Sequence, residues 1–185
     1  MKTLFTKKFV LAGLLALNAA SVFAGQPPNI TNLGLNAQLD GKQQVPAVVT
    51  DGKGTFFANT TGTKITYQLN TSNLSSNVVE AHIHLAQPGV NGGLMVILCA
   101  PNVQQVNPCP SDTKGKMSIG GTIFTDTPTA ALPGVPNQGI TTPVNFLKVL
   151  QAFREGNAYV NIHTQNIDGE IRGQIKTGGG LPTHS

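Results

Sequence analysis

The sequence predicts an all-β domain, a Greek-key sandwich or barrel of about eight strands with one short helix. Three observations predict it. Short stretches with an apolar residue at every second position recur along the chain, the period of a strand with one buried face. Glycine and proline, 21 and 12 of 185 residues, gather between those stretches as turns. Only one segment carries a helical period, so the alternating rhythm of a parallel α/β fold is missing.

The chain opens MKTLFTKKFVLAGLLALNAASVFAG. Lys2, Lys7 and Lys8 form a positive lead, residues 9–17 an apolar run, and Val22, Phe23 and Ala24 a small-residue cleavage pattern. Residues 1–24 are therefore expected to be a Sec-type signal peptide, cut after Ala24, and the product to be periplasmic or secreted. No later stretch approaches the roughly 18 apolar residues that span a bilayer. Removing Lys2, Lys7 and Lys8 from the 12 basic residues leaves nine against eight acidic ones, and no basic run survives. That balance argues against nucleic acid as a partner.

Residues 25–32 (GQPPNITN) are expected to be a flexible lead-in to a domain over 33–176. A first strand follows from the alternation of Leu33, Leu35, Ala37 and Leu39, and Asp40-Gly41 ends it. A second strand is expected near residues 54–59 and a third over 64–70, where Ile65, Tyr67 and Leu69 share a face; Thr61-Gly62-Thr63 between them suits a hairpin turn. Residues 94–99 (LMVILC) are uniformly apolar and short, the signature of a strand buried on both faces. Residues 114–124 alternate again, and 125–141 are too rich in Pro, Gly and Thr for regular structure.

The single helix should run from a Thr142 cap through Pro143 in its first turn to a stop at Gly156. Val144, Phe146, Leu147, Val149, Leu150 and Phe153 give it a broad apolar stripe. The last strand is expected over 170–176, with Ile171, Gly173 and Ile175 inward, followed by a disordered tail, 177–185. Cys99 and Cys109 lie ten apart; in an exported protein a disulfide is the default, and nine intervening residues do not suit a two-thiolate metal site.

Chemistry concentrates on two strands. In residues 79–85 (VEAHIHL), strand geometry sets Val79, Ala81, Ile83 and Leu85 on one face and Glu80, His82 and His84 on the other. In residues 158–164, Ala158, Val160 and Ile162 share one face, and Tyr159, Asn161 and His163 the other. Side chains at i and i+2 start roughly 7 Å apart, close enough for two imidazoles to converge on one ion. A third imidazole, His163, would complete a three-imidazole site suited to copper first and zinc second if its strand lies beside theirs, which local sequence does not decide. Glu80, Tyr159, Asn161, Glu170 and Arg172 are candidates for the surrounding shell, with Glu170 and Arg172 expected to form an ion pair with each other or with Glu80. His184, in the tail, is expected to be a bystander.

The chain resembles the CHRD domain, the module named after chordin and also found alone in exported bacterial proteins. The resemblance rests on LNAQLDGKQQVPAV at the start, AHIH at 81–84, PGVNGG after it, GNAYVNIHT at 156–164 and GEIRGQI at 169–175. It implies an Ig-like or barrel-like β fold outside the cytoplasm and leaves activity open. The HxH pair with a distant histidine is also similar to copper/zinc superoxide dismutase, although that family's zinc loop has no counterpart here.

Catalytic motifs are missing: there is no GxSxG, P-loop or HExxH, so no catalytic residue is assigned. The leading expectation is a metal-binding exported domain. The alternatives are an interaction module for an unidentified protein partner, with structural histidines, and a dismutase-like copper redox enzyme.

Overall fold

The computed structural model describes residues 31–103, 106–110, 112, 115–125 and 143–181. The proposed signal peptide, the Thr142 cap, most of the 125–141 stretch and His184 lie outside the described residues. Within them the chain is all-β with one α-helix and a single 3-10 turn. In order, the strands are β1 (Gly34–Asp40), β2 (Lys53–Thr60), β3 (Lys64–Ser72), β4 (Val78–Leu85), β5 (Gly93–Cys99) and β6 (Met117–Phe124). Helix α1 (Pro143–Arg154) precedes β7 (Ala158–Thr164), β8 (Ile171–Gln174) and the two-residue β9 (Lys176–Thr177).

All strands join one antiparallel sheet in the order β5-β4-β7-β8-β1-β2-β3-β6, with β9 beside β1. The sheet curls like a half-barrel, bringing its two ends toward each other. The Tyr67 hydroxyl on β3 donates to the Leu98 carbonyl of β5 at 3.4 Å, and the Cys99 and Met117 sulfurs of the two end strands lie 4.0 Å apart. Cys99 and Cys109 form the disulfide, which holds the loop after β5 against β4: the Cys109 sulfur sits 3.4 Å from the Val79 carbonyl oxygen.

Alternation decides which residues fill the curl. Leu35, Ala37 and Leu39 of β1, Phe56 and Ala58 of β2, Ile65 and Leu69 of β3, and Val160 and Ile162 of β7 are all buried in one core. Phe146, Val149, Leu150 and Phe153 of α1 join it, while Leu147 stays 43% exposed. The apolar stripe is thus narrower than the sequence implies, because Leu147 falls on the solvent side of the turn. Gly156, at φ +70°, closes the helix in a conformation that suits glycine, and the Asn157 amide returns to the Ala152 carbonyl at 2.8 Å.

Strand β4 departs from simple alternation. Its pairing with β7 shifts register between Val78 and Glu80, so Val78 is buried with Ala81 and Ile83, while Val79 is only partly covered. The expected placement of Val79 on the core face therefore passes to Val78. Residues 177–181, expected to begin a disordered tail, instead continue alongside β1. Gly178 N–H donates to Gly34 O, Asn36 Nδ2 to Gly178 O and Asn59 Nδ2 to Leu181 O.

Glu170 and Arg172 do not pair with each other. The Glu170 carboxylate is fully buried away from the histidines and accepts from Thr50 Oγ1 (2.6 Å), Ser75 N (2.9 Å), Ser75 Oγ (2.7 Å) and Thr164 Oγ1 (2.7 Å). It knots the β1–β2 loop, the β3–β4 loop and the end of β7 together. The expected place of Glu170 beside the histidines is thereby overturned: a carboxylate surrounded by donors is satisfied where it stands. Burial raises its pKa, but the hydrogen bonds from Thr50, Ser75 and Thr164 prevail and hold it below the usual glutamate value of 4.5.

A glutamate depressed in the folded state contributes stability that is present above its unfolded pKa and fades as pH falls through the folded one. Glu170→Gln, which turns an NH2 donor toward existing donors, should cost about 2 kcal/mol at pH 7. The difference from wild type should shrink as pH falls below 4.5, a trend that denaturant titrations across pH 7 to 3 would check. A pH-independent difference would remove the carboxylate's charge from this account.

Candidate metal centre

The site is built on the outer face of the sheet, where β4, β7 and β8 lie side by side. Antiparallel pairing sets Glu80 opposite His163, His82 opposite Asn161 and His84 opposite Tyr159; across the next seam Asn161 faces Arg172. Sequence left open whether the two histidine strands adjoin. They do, and the rings gather: His82 lies 5.7 Å from His84 and 5.1 Å from His163 between ring centroids. One ligand nitrogen from each of His82, His84 and His163 falls within 4.8 Å of the others, so the three could hold a metal ion.

Outer sheet faces are usually wet, but this one is covered over His82, while His163 and Glu80 stay partly exposed. His82 is 2% exposed. The cover is residues 86–92 together with the segment after β1. Asn91 Nδ2 donates to the Val45 carbonyl at 2.9 Å, joining the two loops. Gln44 Nε2 donates to Asn161 Oδ1 at 2.6 Å, tying the first loop to β7.

Arg172, 1% exposed, anchors the second loop. Its guanidinium lies 3.4 Å over the Tyr159 ring, a cation–π contact. From there it donates to the carbonyls of Val90 (2.9 Å) and Gln87 (3.4 Å) and to Asn91 Oδ1 (3.3 Å). Its partners are neutral acceptors and a ring, in place of the expected carboxylate. A rigid fork of donors suits a loop whose carbonyls would otherwise be buried unpaired.

Each imidazole has a distinct setting. His84 stacks on Tyr159 at 5.0 Å, and its Nδ1 lies 3.0 Å from the Gly92 carbonyl. That bond places the proton on Nδ1 and leaves Nε2 with a lone pair. The Tyr159 hydroxyl in turn accepts from the Gly92 amide at 3.3 Å. A Cβ at residue 92 would lie 1.8 Å from the Leu85 carbonyl oxygen, so only glycine fits there. His163 Nδ1 donates to Asp168 at 2.5 Å, and Asn161 Nδ2 donates to His163 Nε2 at 2.9 Å.

The Nε2 atoms of His82 and His84 are buried and make no hydrogen bond. Orphaned buried ring nitrogens are costly, and a cation bound by both Nε2 atoms in their deprotonated form would satisfy them. Burial, reinforced by the neighbouring His163 and His84, pushes the His82 pKa down to about 3. Burial also lowers that of His84, against the opposing pull of the Gly92 carbonyl, with His163 and Arg172 adding to the depression. Both rings are thus neutral near pH 7, the form that binds metal.

A family model described as the CHRD domain matches residues 35–175. The chain belongs to the CHRD domain family. This is an extracellular-type module, in keeping with the Cys99–Cys109 disulfide of this CHRD domain. No curated protein and no solved structure matches the chain. Among the described residues, no helix is long and apolar enough to cross a membrane.

Of the residues considered for the surrounding shell, Glu80 lies 3.3 Å from His82, Tyr159 stacks on His84 and Asn161 bonds His163, while Arg172 lies over Tyr159. Asp168, Gly92 and Gln44 were not singled out from sequence. Asp168 looks like a turn residue. Its only signal is that it lies five positions after His163 across a tight turn, within reach of the ring.

Arg172→Met should keep the packing on Tyr159 but lose the donors that hold residues 87–91. A loss of about 2–3 kcal/mol is expected from the charged hydrogen bonds, with faster amide exchange confined to residues 86–92. Global unfolding experiments and residue-resolved hydrogen exchange would check both parts.

Proposed function

We propose that this CHRD domain, exported by its signal peptide, binds a divalent transition metal through His82, His84 and His163. The observation that carries the proposal is the pair of buried Nε2 atoms of His82 and His84, which lack hydrogen-bond partners inside a three-histidine group. An all-imidazole donor set suits copper(II) ahead of zinc. The cysteines do not compete, being joined to each other. A metal on His163 Nε2 replaces one amide hydrogen bond from Asn161, whereas His82 and His84 give up none.

The role that follows is sequestration, delivery or stabilisation. Metal bound at 100 times its dissociation constant adds about 2.7 kcal/mol to folding stability. In the competing reading, the domain is an interaction module and its histidines are structural.

The mature chain, residues 25–185, loaded with copper or zinc and desalted, should retain about one equivalent, because three histidines form one centre. The His82/His84/His163→Ala variant should retain none. Equal and negligible metal in both proteins would leave the interaction module as the better account.

A further inference from the structure

We infer that Glu80 is a fourth ligand, closing the centre around a divalent ion with three imidazoles and one carboxylate. The inference rests on the metal reading above and adds the residue that decides whether a coordination position stays open.

Glu80 Oε2 lies 3.3 Å from His82 Nε2, yet no hydrogen bond joins them. A carboxylate that merely capped the ring would accept its N–H in line. If Nε2 carries a lone pair instead, two acceptors face each other, an arrangement that a shared cation makes favourable. The spacing to His82 fits a tetrahedral ion such as zinc, whose bonds of roughly 2.0–2.2 Å put neighbouring ligand atoms about 3.4 Å apart. The ligand atoms of the three histidines already lie within 4.8 Å of one another, and Glu80 joins them by turning its side chain from His82 toward the ion. Position agrees as well, because Glu80 is the cross-strand partner of His163 and shares the outer face with His82.

Charge balance points the same way. Three neutral imidazoles leave the full charge of a divalent ion uncompensated in a covered site, which is costly. Glu80 brings a carboxylate beside His82, and Asp168, almost fully exposed, bonds His163 from the solvent side. Asp168 acts through the ring as a positioning residue, while Glu80 touches the ion. A zinc centre filled by four protein ligands is the form of structural sites, whereas catalytic zinc keeps a position open. Glu80 therefore favours a resident ion over one that keeps a coordination position open for substrate.

Cobalt(II) tests this, because its visible d–d absorption reports ligand number and type. The mature protein, Glu80→Gln, Asp168→Asn and the triple histidine variant would each be titrated with cobalt(II) chloride. Wild type should show the intense bands of a four-coordinate ion. Asp168→Asn should keep those bands and bind roughly 10–100-fold more weakly, as loss of an outer partner does. Glu80→Gln should weaken binding further and also shift or bleach the bands. A Glu80→Gln protein with wild-type spectrum and affinity would overturn the role of Glu80 and leave the three-histidine site standing. Failure of the wild type itself to bind would overturn both.

Discussion

The structure depends on the register of β4 against β7. Ala81 opposite Ile162 and Ile83 opposite Val160 bury apolar pairs in the curl of the sheet. With those pairs in place, the intervening residues must face outward, and Glu80, His82, His84, Tyr159, Asn161 and His163 all arrive on one surface. A slip of one residue would send the imidazoles into the core and the aliphatic side chains into water, so the hydrophobic pattern holds the site in alignment. The bulge at Val79 absorbs the mismatch at the start of β4 and leaves the pairs from Glu80 onward intact.

What lies over that surface buries the part of it around His82 and Arg172. Arg172 is the central piece, a nearly inaccessible cation with no carboxylate on it, balanced by a π face and main-chain oxygens. It stands behind Tyr159 while His84 stacks on the same ring, so loop anchor and candidate ligand share one aromatic spacer. The loop that Arg172 holds brings back the Gly92 carbonyl, which orients His84. The same burial keeps His82 and His84 neutral. Cover, orientation and protonation state therefore have a common origin.

Glu170 shows the complementary solution at the other end of β8. It and Arg172 are two residues apart with opposite charge, a spacing that invites an ion pair. Each instead found a denser set of hydrogen bonds: hydroxyls and an amide for the carboxylate, carbonyls for the guanidinium. Several short bonds to pre-placed neutral groups satisfy a buried charge without requiring the second charge to be desolvated beside it.

The sequence by itself determined the strands, the helix, the disulfide and the polar faces carrying His82, His84 and His163. These follow from local period, turn residues and spacing, which every few residues encode. Only the tertiary structure decided that β4 adjoins β7, that Val78 replaces Val79 in the core, and that Leu147 faces solvent. It alone brought Gln44, Gly92 and Asp168 to the histidines and moved Glu170 away from them. Those outcomes depend on which distant strands pair and on which loops fold over them. Contacts such as Gln44 with Asn161, 117 positions apart, leave no trace in local periodicity.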